Sequence, residues 1–277
     1  MQNREIKSKD YGLFCNYLEK QCGIVLGENK QYLVQSRLWP LVGKFGFDNL
    51  GSLINKVISG HARQLNTAVI DAMTTNETLW FRDVYPYELL ADKLLDQLAG
   101  RRTPVRIWSA ACSSGQEPYS IAMVVKEYLT RKPNAFPGGV QIIGTDISVD
   151  MLERCKNATY DNLSLARGLP AERKKKFFQA ADNNSMQLIP AIRNMVSFKP
   201  INLLDPYSSL GKFDLVFCRN VLIYFSGDIK SKILQKIAAG LQKDGILILG
   251  ASESISGLSD KFDLNRIERG IFYTKKQ

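Results

Sequence analysis

Residues 105–123, VRIWSAACSSGQEPYSIAM, decide how this chain reads. VRIW (105–108) has the pattern of a buried strand, and Ala110-Ala111-Cys112-Ser113-Ser114-Gly115 that of a tight turn of small residues. A helix opens at Glu117 and runs through Met123, with Pro118 in the first turn, where a missing N–H costs nothing. Strand, small-residue turn and helix together let a ligand approach bare backbone at a helix N-terminus. That is the opening unit of a nucleotide-type site in an α/β fold. Downstream, QIIGTDIS is another apolar strand ending in an acid, Asp146, placed where a carboxylate grips ribose hydroxyls. The turn is neither G-x-G-x-x-G nor a P-loop, since no Gly-Lys-Ser/Thr follows. Taken alone, it also fits a strand–helix junction with no ligand.

From residue 105 onward, strand-like runs (VRIWSA, VQIIGTD, MVSFKP, FDLVFC, GILILGA and a terminal IFYTK) alternate with helical stretches. This alternation predicts a parallel, Rossmann-like α/β sheet. Upstream, residues 10–73 read as short helices only. YGLFCNYLEKQCGI is closed by Gly23, and NKQYLVQSRLWPLVGKFG has Gly43 and Gly46 near its end. NLGSLINKVISG is stopped by Gly60, and ARQLNTAVIDAM follows. The expected division is an all-helical domain over 1–75 and an α/β domain over 76–277. The α/β pattern breaks between about 161 and 200. RGLPAERKKKFF reads as a short charged helix begun near Pro170, and FQAADNNSMQLIP as two short strands around a polar turn. A small antiparallel β-subdomain inserted at 161–198 is expected; an ordinary long surface connection is the alternative.

The 277 residues suffice for one large or two modest domains with a substantial core. With 45% hydrophobic and 23% charged residues, a globular fold is expected. No apolar run approaches the ~20 residues of a membrane span, and MQNREIKSKDYG lacks the apolar region of a signal peptide, so no membrane insertion is expected. The five cysteines are scattered without C-x-x-C, and there is one histidine, His61. These counts disfavour a zinc site, no metal is expected, and reduced cytoplasmic thiols are the plain inference. Cys112 and Cys218 fall in motif regions but read as small buried packing. The net charge of +10 suits either a solvated surface or an acidic partner. Lys30, Arg37, Lys44, Lys56, Arg63 and the RKKK run at 173–176 are not interleaved with aromatics as a single-strand nucleic-acid platform would be.

The word-for-word content of WSAACSSGQEPYSIAM resembles the S-adenosylmethionine (AdoMet) motif of the chemotaxis receptor methyltransferases, the CheR-type protein-glutamate O-methyltransferases. Further matches follow in order: TTNETLWFRD near position 80, GTDIS at 144–148, FKPINLLD at 198–205, FDLVFCRNVLIYF at 213–225 and GILILGASES at 245–254. The resemblance covers nearly the whole chain. One departure is Ala111, where the family often has glycine; alanine is expected to be tolerated if its φ stays negative. The resemblance implies AdoMet as cofactor, S-adenosylhomocysteine as product, and a chemoreceptor's cytoplasmic helical bundle as partner. It also implies a role for the inserted subdomain in docking a receptor tail peptide. An acidic protein partner is accordingly preferred to nucleic acid, and a monomer is expected.

AdoMet needs an acid for its ribose, partners for its ammonium and carboxylate, and a platform for its adenine. Asp146 is the ribose candidate, with helix capping of ISVDMLERC as the alternative. Glu117 either complements the helix dipole or faces the methionyl ammonium. Arg82 can pair the ligand carboxylate through its planar fork. By the resemblance, Asn76, Thr78 and Gly115 line the same pocket, Asn202 and Leu203 reach the adenine, and Arg219 and Asn220 lie near the methyl group. Phenol, alcohol or catechol acceptors usually call for a base or a metal, whereas a glutamate (pKa about 4.3) is already ionised at neutral pH. No Asn/Asp-Pro-Pro-Tyr/Phe run of amino-methylating enzymes occurs; CRNVLIYF takes its place. Catalysis then becomes placement and desolvation. Tyr224 is the candidate to orient the acceptor, with packing inside VLIYF as its alternative, and Arg219 the candidate to help hold an anion. Methylation of RNA or a small acid, and a non-catalytic AdoMet-sensing module, are the competing functions.

Overall fold

In the computed structural model, which describes residues 6–60, 62–267 and 270–276, the chain forms two compact units. One comprises the residues up to Thr75 together with Tyr224–Ile229; the other comprises Asn76–Ile223 and Lys230–Gln277. His61 lies outside the described residues. No helix among those described is long and apolar enough to cross a membrane.

Among the described residues the first unit holds α1 (Ser8–Cys22), α2 (Gln31–Lys44), α3 (Leu50–Ile58) and α4 (Arg63–Met73). Their buried residues recur at helical spacing: Tyr11, Phe14, Leu18 and Cys22 on α1, Val34, Leu38 and Val42 on α2, and Leu65, Val69 and Met73 on α4. Gly23 ends α1 in the left-handed region, its N–H donating to the Glu19 carbonyl at 2.9 Å. Asn49 caps α3 by accepting the Ser52 N–H. Arg37 is committed inside this unit. Its guanidinium donates to the carbonyls of Met73 (2.6 Å) and Thr74 (3.1 Å) and to Thr75 Oγ1 (2.9 Å), closing the C-terminus of α4.

The second unit is built on a seven-stranded sheet. Its strands are β1 (Val105–Ala110), β2 (Val140–Asp146), β6 (Val196–Pro200), β7 (Phe213–Cys218), β8 (Leu241–Leu249), β9 (Phe262–Ile267) and β10 (Gly270–Lys275), in spatial order β6-β2-β1-β7-β8-β10-β9. The first five run parallel; β10 is antiparallel to β8, and β9, antiparallel to β10, runs in the direction of the first five again. FDLVFC is buried along its full length, as expected of a central parallel strand covered on both faces. The chain moves outward from β1 to β2 and β6 on one side and to β7 and β8 on the other. The topological switch point therefore falls between β1 and β7, at whose carboxyl ends sheets of this kind hold their ligands. The expected alternation with helices is met by α7 (Gln116–Arg131), α8 (Val149–Asn157) and α12 (Gly227–Gly240), which follow β1, β2 and β7. Two features were not: the edge strand β9, and the helical run of α5 (Tyr85–Leu89), a π turn (Leu90–Leu94) and α6 (Leu95–Leu98).

The break at 161–200 is a three-stranded antiparallel sheet, β3 (Thr159–Asp161), β5 (Ser185–Leu188) and β4 (Phe178–Ala181), with α9 (Asn162–Ala166), α10 (Ala171–Phe177) and α11 (Pro190–Arg193). Asn183 and Asn184 both take positive φ (56° and 55°), the requirement of a tight turn matched to strand twist. The bounds differ from 161–198. The small sheet starts at Thr159, because Thr159 to Asp161 pair with β5, while Val196 onward pairs with β2 in the main sheet.

Candidate active site

Several motif residues of the α/β unit sit where a parallel strand ends, Asp146 closing β2 and Arg219 following β7. After β1 the chain turns through Ala111 (φ 57°), Ser113 (φ 49°) and Gly115 (φ 94°). The expectation of a negative φ at Ala111 is therefore corrected: Ala111 is held in the left-handed region, which costs an L-residue about 1–2 kcal/mol. The surroundings over-determine this shape. Cys112 N–H donates to the Thr145 carbonyl (2.9 Å), Ser113 N–H to Asp146 Oδ2 (2.8 Å), and Ser113 Oγ to the Asn76 carbonyl (2.9 Å). From the small sheet, Tyr160 O–H donates to the Ser114 carbonyl at 2.8 Å. Gly115 is required twice over, by its φ and because a Cβ would stand 3.1 Å from both Cys155 Sγ and Tyr160 Oη. Further left-handed residues, Phe81, Asp83, Val84 and Asn220, flank the same sheet edge. Strain concentrated this way marks a functional site.

Asp146 ends β2, buried, with its carboxylate accepting from Ser113 N–H on one oxygen and from Ser148 N–H (2.9 Å) on the other. It is not the cap of α8; Ser148 is, accepting the Met151 N–H. Its place at the carboxyl end of β2 is the one a ribose-binding acid takes in sheets of this kind. The Asp146 carbonyl accepts from Ile201 N–H (3.0 Å), which brings Asn202 and Leu203 beside the acid. Asn202 Oδ1 accepts the Leu204 N–H, and buried Leu203 follows it.

Glu117, in the first turn of α7, accepts from Ser109 O–H on Oε1 (2.8 Å) and from Arg219 Nη1 on Oε2 (3.0 Å). Burial pushes its carboxyl above the ordinary value of 4.5, and the Arg219 guanidinium and Ser109 hydroxyl pull the other way. Arg219 ends β7 with its side chain 2% exposed. Its other terminal nitrogen donates to Asp83 Oδ2 (2.6 Å) and to the Arg82 carbonyl (2.7 Å). Both terminal nitrogens are thus engaged inside the protein, which makes Arg219 an interior hub with only Nε left to meet an anion. Arg82 donates to the Glu77 carbonyl at 3.3 Å. Thr78 is half-buried on the same segment.

Glu117, Asp146, Gly115, Asn76, Arg219, Asn202 and Leu203 are thus linked through shared turns and hydrogen bonds. Tyr224 stands apart: it closes a short 3-10 turn (Leu222–Tyr224) and belongs to the helical unit, where its carbonyl accepts from Val25 N–H. Sequence reasoning missed Asp83, Ser109, Tyr160 and Glu253. The stretches NETLWFRD and GASES contain two of them, but nothing local distinguishes these acids from surface ones. Cys112 and Cys218 are buried with thiols pushed up by burial, as small packing residues should be.

A parallel sheet that reverses direction at β1, with acids at its strand ends and a small-residue turn between them, defines a Rossmann-like ligand-binding enzyme unit. Residues 76–271 match the family model described as CheR methyltransferase, SAM binding domain, and residues 9–74 match CheR methyltransferase, all-alpha domain. The chain is 54% identical over 271 residues to chemotaxis protein methyltransferase 1 of Vibrio cholerae, covering 98% of each chain. It is 49% identical to chemotaxis protein methyltransferase 1 of Pseudomonas aeruginosa, over 96% of this chain and 98% of that one. It is 34% identical to the chemotaxis protein methyltransferase of Escherichia coli, over 88% and 84%. This chain belongs to the CheR methyltransferase family and is an AdoMet-dependent methyltransferase. Its residues fit that cofactor: Asp146 closes β2 and Glu117 opens α7 beside the turn after β1, and Arg219 Nε and Asn220 Oδ1 are buried polar atoms with no hydrogen-bond partner among the described residues.

Proposed function

We propose that the enzyme methylates glutamate side chains on the cytoplasmic helices of chemoreceptors, acting as a cytoplasmic monomer and forming glutamyl methyl esters and S-adenosylhomocysteine. The observation that carries the acceptor is the likeness, over 98% of both chains, to a protein named chemotaxis protein methyltransferase. When bound, AdoMet supplies an electrophilic methyl group on a sulfonium. Glu117, oriented by Ser109 and Arg219, pairs the methionyl ammonium, and Asp146 accepts from the ribose hydroxyls. Arg82 takes the ligand carboxylate. Asn76, Thr78, Asn202 and Leu203 line the pocket, and Gly115 keeps its turn open. Asn220 and the Arg219 hub stand by the methyl group.

The acceptor carboxylate needs no base: its oxygen bonds to the methyl carbon, the carbon–sulfur bond breaks, and no proton is released. Tyr224, assigned for the hydrogen bond its hydroxyl can offer, orients that carboxylate. Exposed Lys44 and Lys56 on the helical unit suit an acidic receptor bundle. The open edges of the small sheet suit addition of an extended receptor tail segment.

The test uses methyl-labelled AdoMet with a receptor cytoplasmic fragment and with RNA. Base-labile label on the fragment is expected, with a single-turnover rate flat from about pH 6 to 8.5. Base-stable label on RNA, or a rate climbing steeply over that range, refutes the carboxylate reading.

A further inference from the structure

Beyond the residues assigned above, we infer that Glu253 is a positioning residue for the methyl end of the cofactor site, acting through Asn220. The inference rests on the proposed placement of Asn220 beside the reacting methyl group. β8 ends at Leu249, and the chain turns back so that Glu253 N–H donates to the Gly250 carbonyl at 3.0 Å. The Glu253 side chain, 6% exposed, then accepts three converging backbone N–H groups. Oε2 takes those of Asn220 (2.6 Å) and Gly250 (2.9 Å), and Oε1 takes that of Leu222 (2.8 Å). Two of the three belong to the loop that follows β7.

That loop is under strain. Asn220 has φ 57°; Glu253 accepts its backbone N–H, and its side chain lies close against Gly250. A Cβ on Gly250 would stand 2.7 Å from Asn220 Nδ2 and 2.8 Å from Glu253 Oε2, so only glycine permits the approach. The amide oxygen Asn220 Oδ1 is buried and has no partner among the described residues, an acceptor left over by the protein's own bonding. An acceptor-only carboxylate suits three converging donors. A glutamine would meet at least one of them with its own N–H group. The carboxylate thereby fixes the left-handed turn that aims Asn220, and it keeps Arg219, one residue earlier, in register with Glu117.

Asp214 provides an internal control. It is a second buried carboxylate, at the amino end of β7, where it accepts the Arg106 N–H and pairs with Arg101. Loss of either carboxylate removes stability, but only Glu253 lies at the carboxyl edge. The experiment compares Glu253→Gln, Asp214→Asn and Asn220→Ala in the full chain, at a temperature where unfolding curves show all of them folded. AdoMet affinity is read by calorimetry and methyl transfer by single turnover. Glu253→Gln is expected to lower the single-turnover rate by about ten-fold or more. It should track Asn220→Ala, and the double variant should lose little more than either single one. Asp214→Asn should leave both readings at parental values. If Glu253→Gln loses thermal stability but keeps parental affinity and rate, as Asp214→Asn should, Glu253 is a staple only and the inference fails. Parental behaviour of Asn220→Ala would instead overturn the site reading on which it rests.

Discussion

The Arg219 guanidinium donates to the Glu117 carboxylate at 3.0 Å across 102 positions of sequence. Because Arg219 also holds Asp83 and the Arg82 carbonyl, one side chain fastens the helix after β1, the end of β7 and the segment before α5. The carboxylate proposed above to pair the cofactor's ammonium is therefore set by the body of the fold before any ligand arrives.

Arg219→Ala strips the largely buried Glu117 carboxylate, and the more exposed Asp83, of their cation, a loss of roughly 3–5 kcal/mol by analogy with other broken buried pairs. Arg219→Lys should recover little, since an ammonium cannot reproduce the planar fork. Denaturant unfolding checks both. A loss below about 1 kcal/mol in the alanine variant would show the hub to be solvated and dispensable.

Burial holds the Glu117 carboxyl above 4.5, so on acidification it gains a proton earlier than an ordinary glutamate. Only the anion pairs an ammonium. AdoMet affinity should accordingly begin to fall while the pH is still above 4.5, and Glu117→Gln should bind roughly 10–100-fold more weakly with that dependence removed. Calorimetry across mildly acidic to neutral pH decides. A parent whose affinity holds until below 4.5 contradicts the assignment.

Ala111→Gly should stabilise the enzyme by about 0.5–1 kcal/mol. Relief of a left-handed alanine outweighs the added freedom of glycine in the unfolded chain. Thermal unfolding of the two proteins side by side tests this, and a less stable glycine variant would mean that the Ala111 methyl makes packing contacts worth more than its strain.

Charge reversal at Arg37 should destabilise the helical unit, because the side chain closes α4 rather than waiting for a partner. Lys44 and Lys56 are exposed, and their joint reversal should spare the melting temperature while slowing receptor methylation and flattening its salt dependence. Unchanged rates at low and moderate salt in the Lys44/Lys56 variant would exclude these two lysines from docking.

Much of this was legible in sequence because its physical cause is local. FDLVFC and VRIWSA declare buried strands by continuous apolar character, and Asp-Asn-Asn-Ser declares a turn because asparagine tolerates positive φ. By contrast, FDLNRI is an edge strand with exposed polar positions, and Thr159–Asp161 is too short to show a period. Both exist because a neighbouring strand supplies hydrogen bonds.

The sequence by itself determined the four N-terminal helices, the alternation of the central strands with helices, the small-residue turn, and the acids at 117 and 146, since each depends on spacing along one element. Only the tertiary structure decided what those groups face. Arg37 is consumed as a helix closure, Arg219 is consumed by Glu117 and Asp83, Ala111 is bent to positive φ, and Glu253 is brought beneath Asn220. Each outcome depends on partners tens to more than a hundred residues away, and packing against the sheet rather than local propensity brings those partners into range.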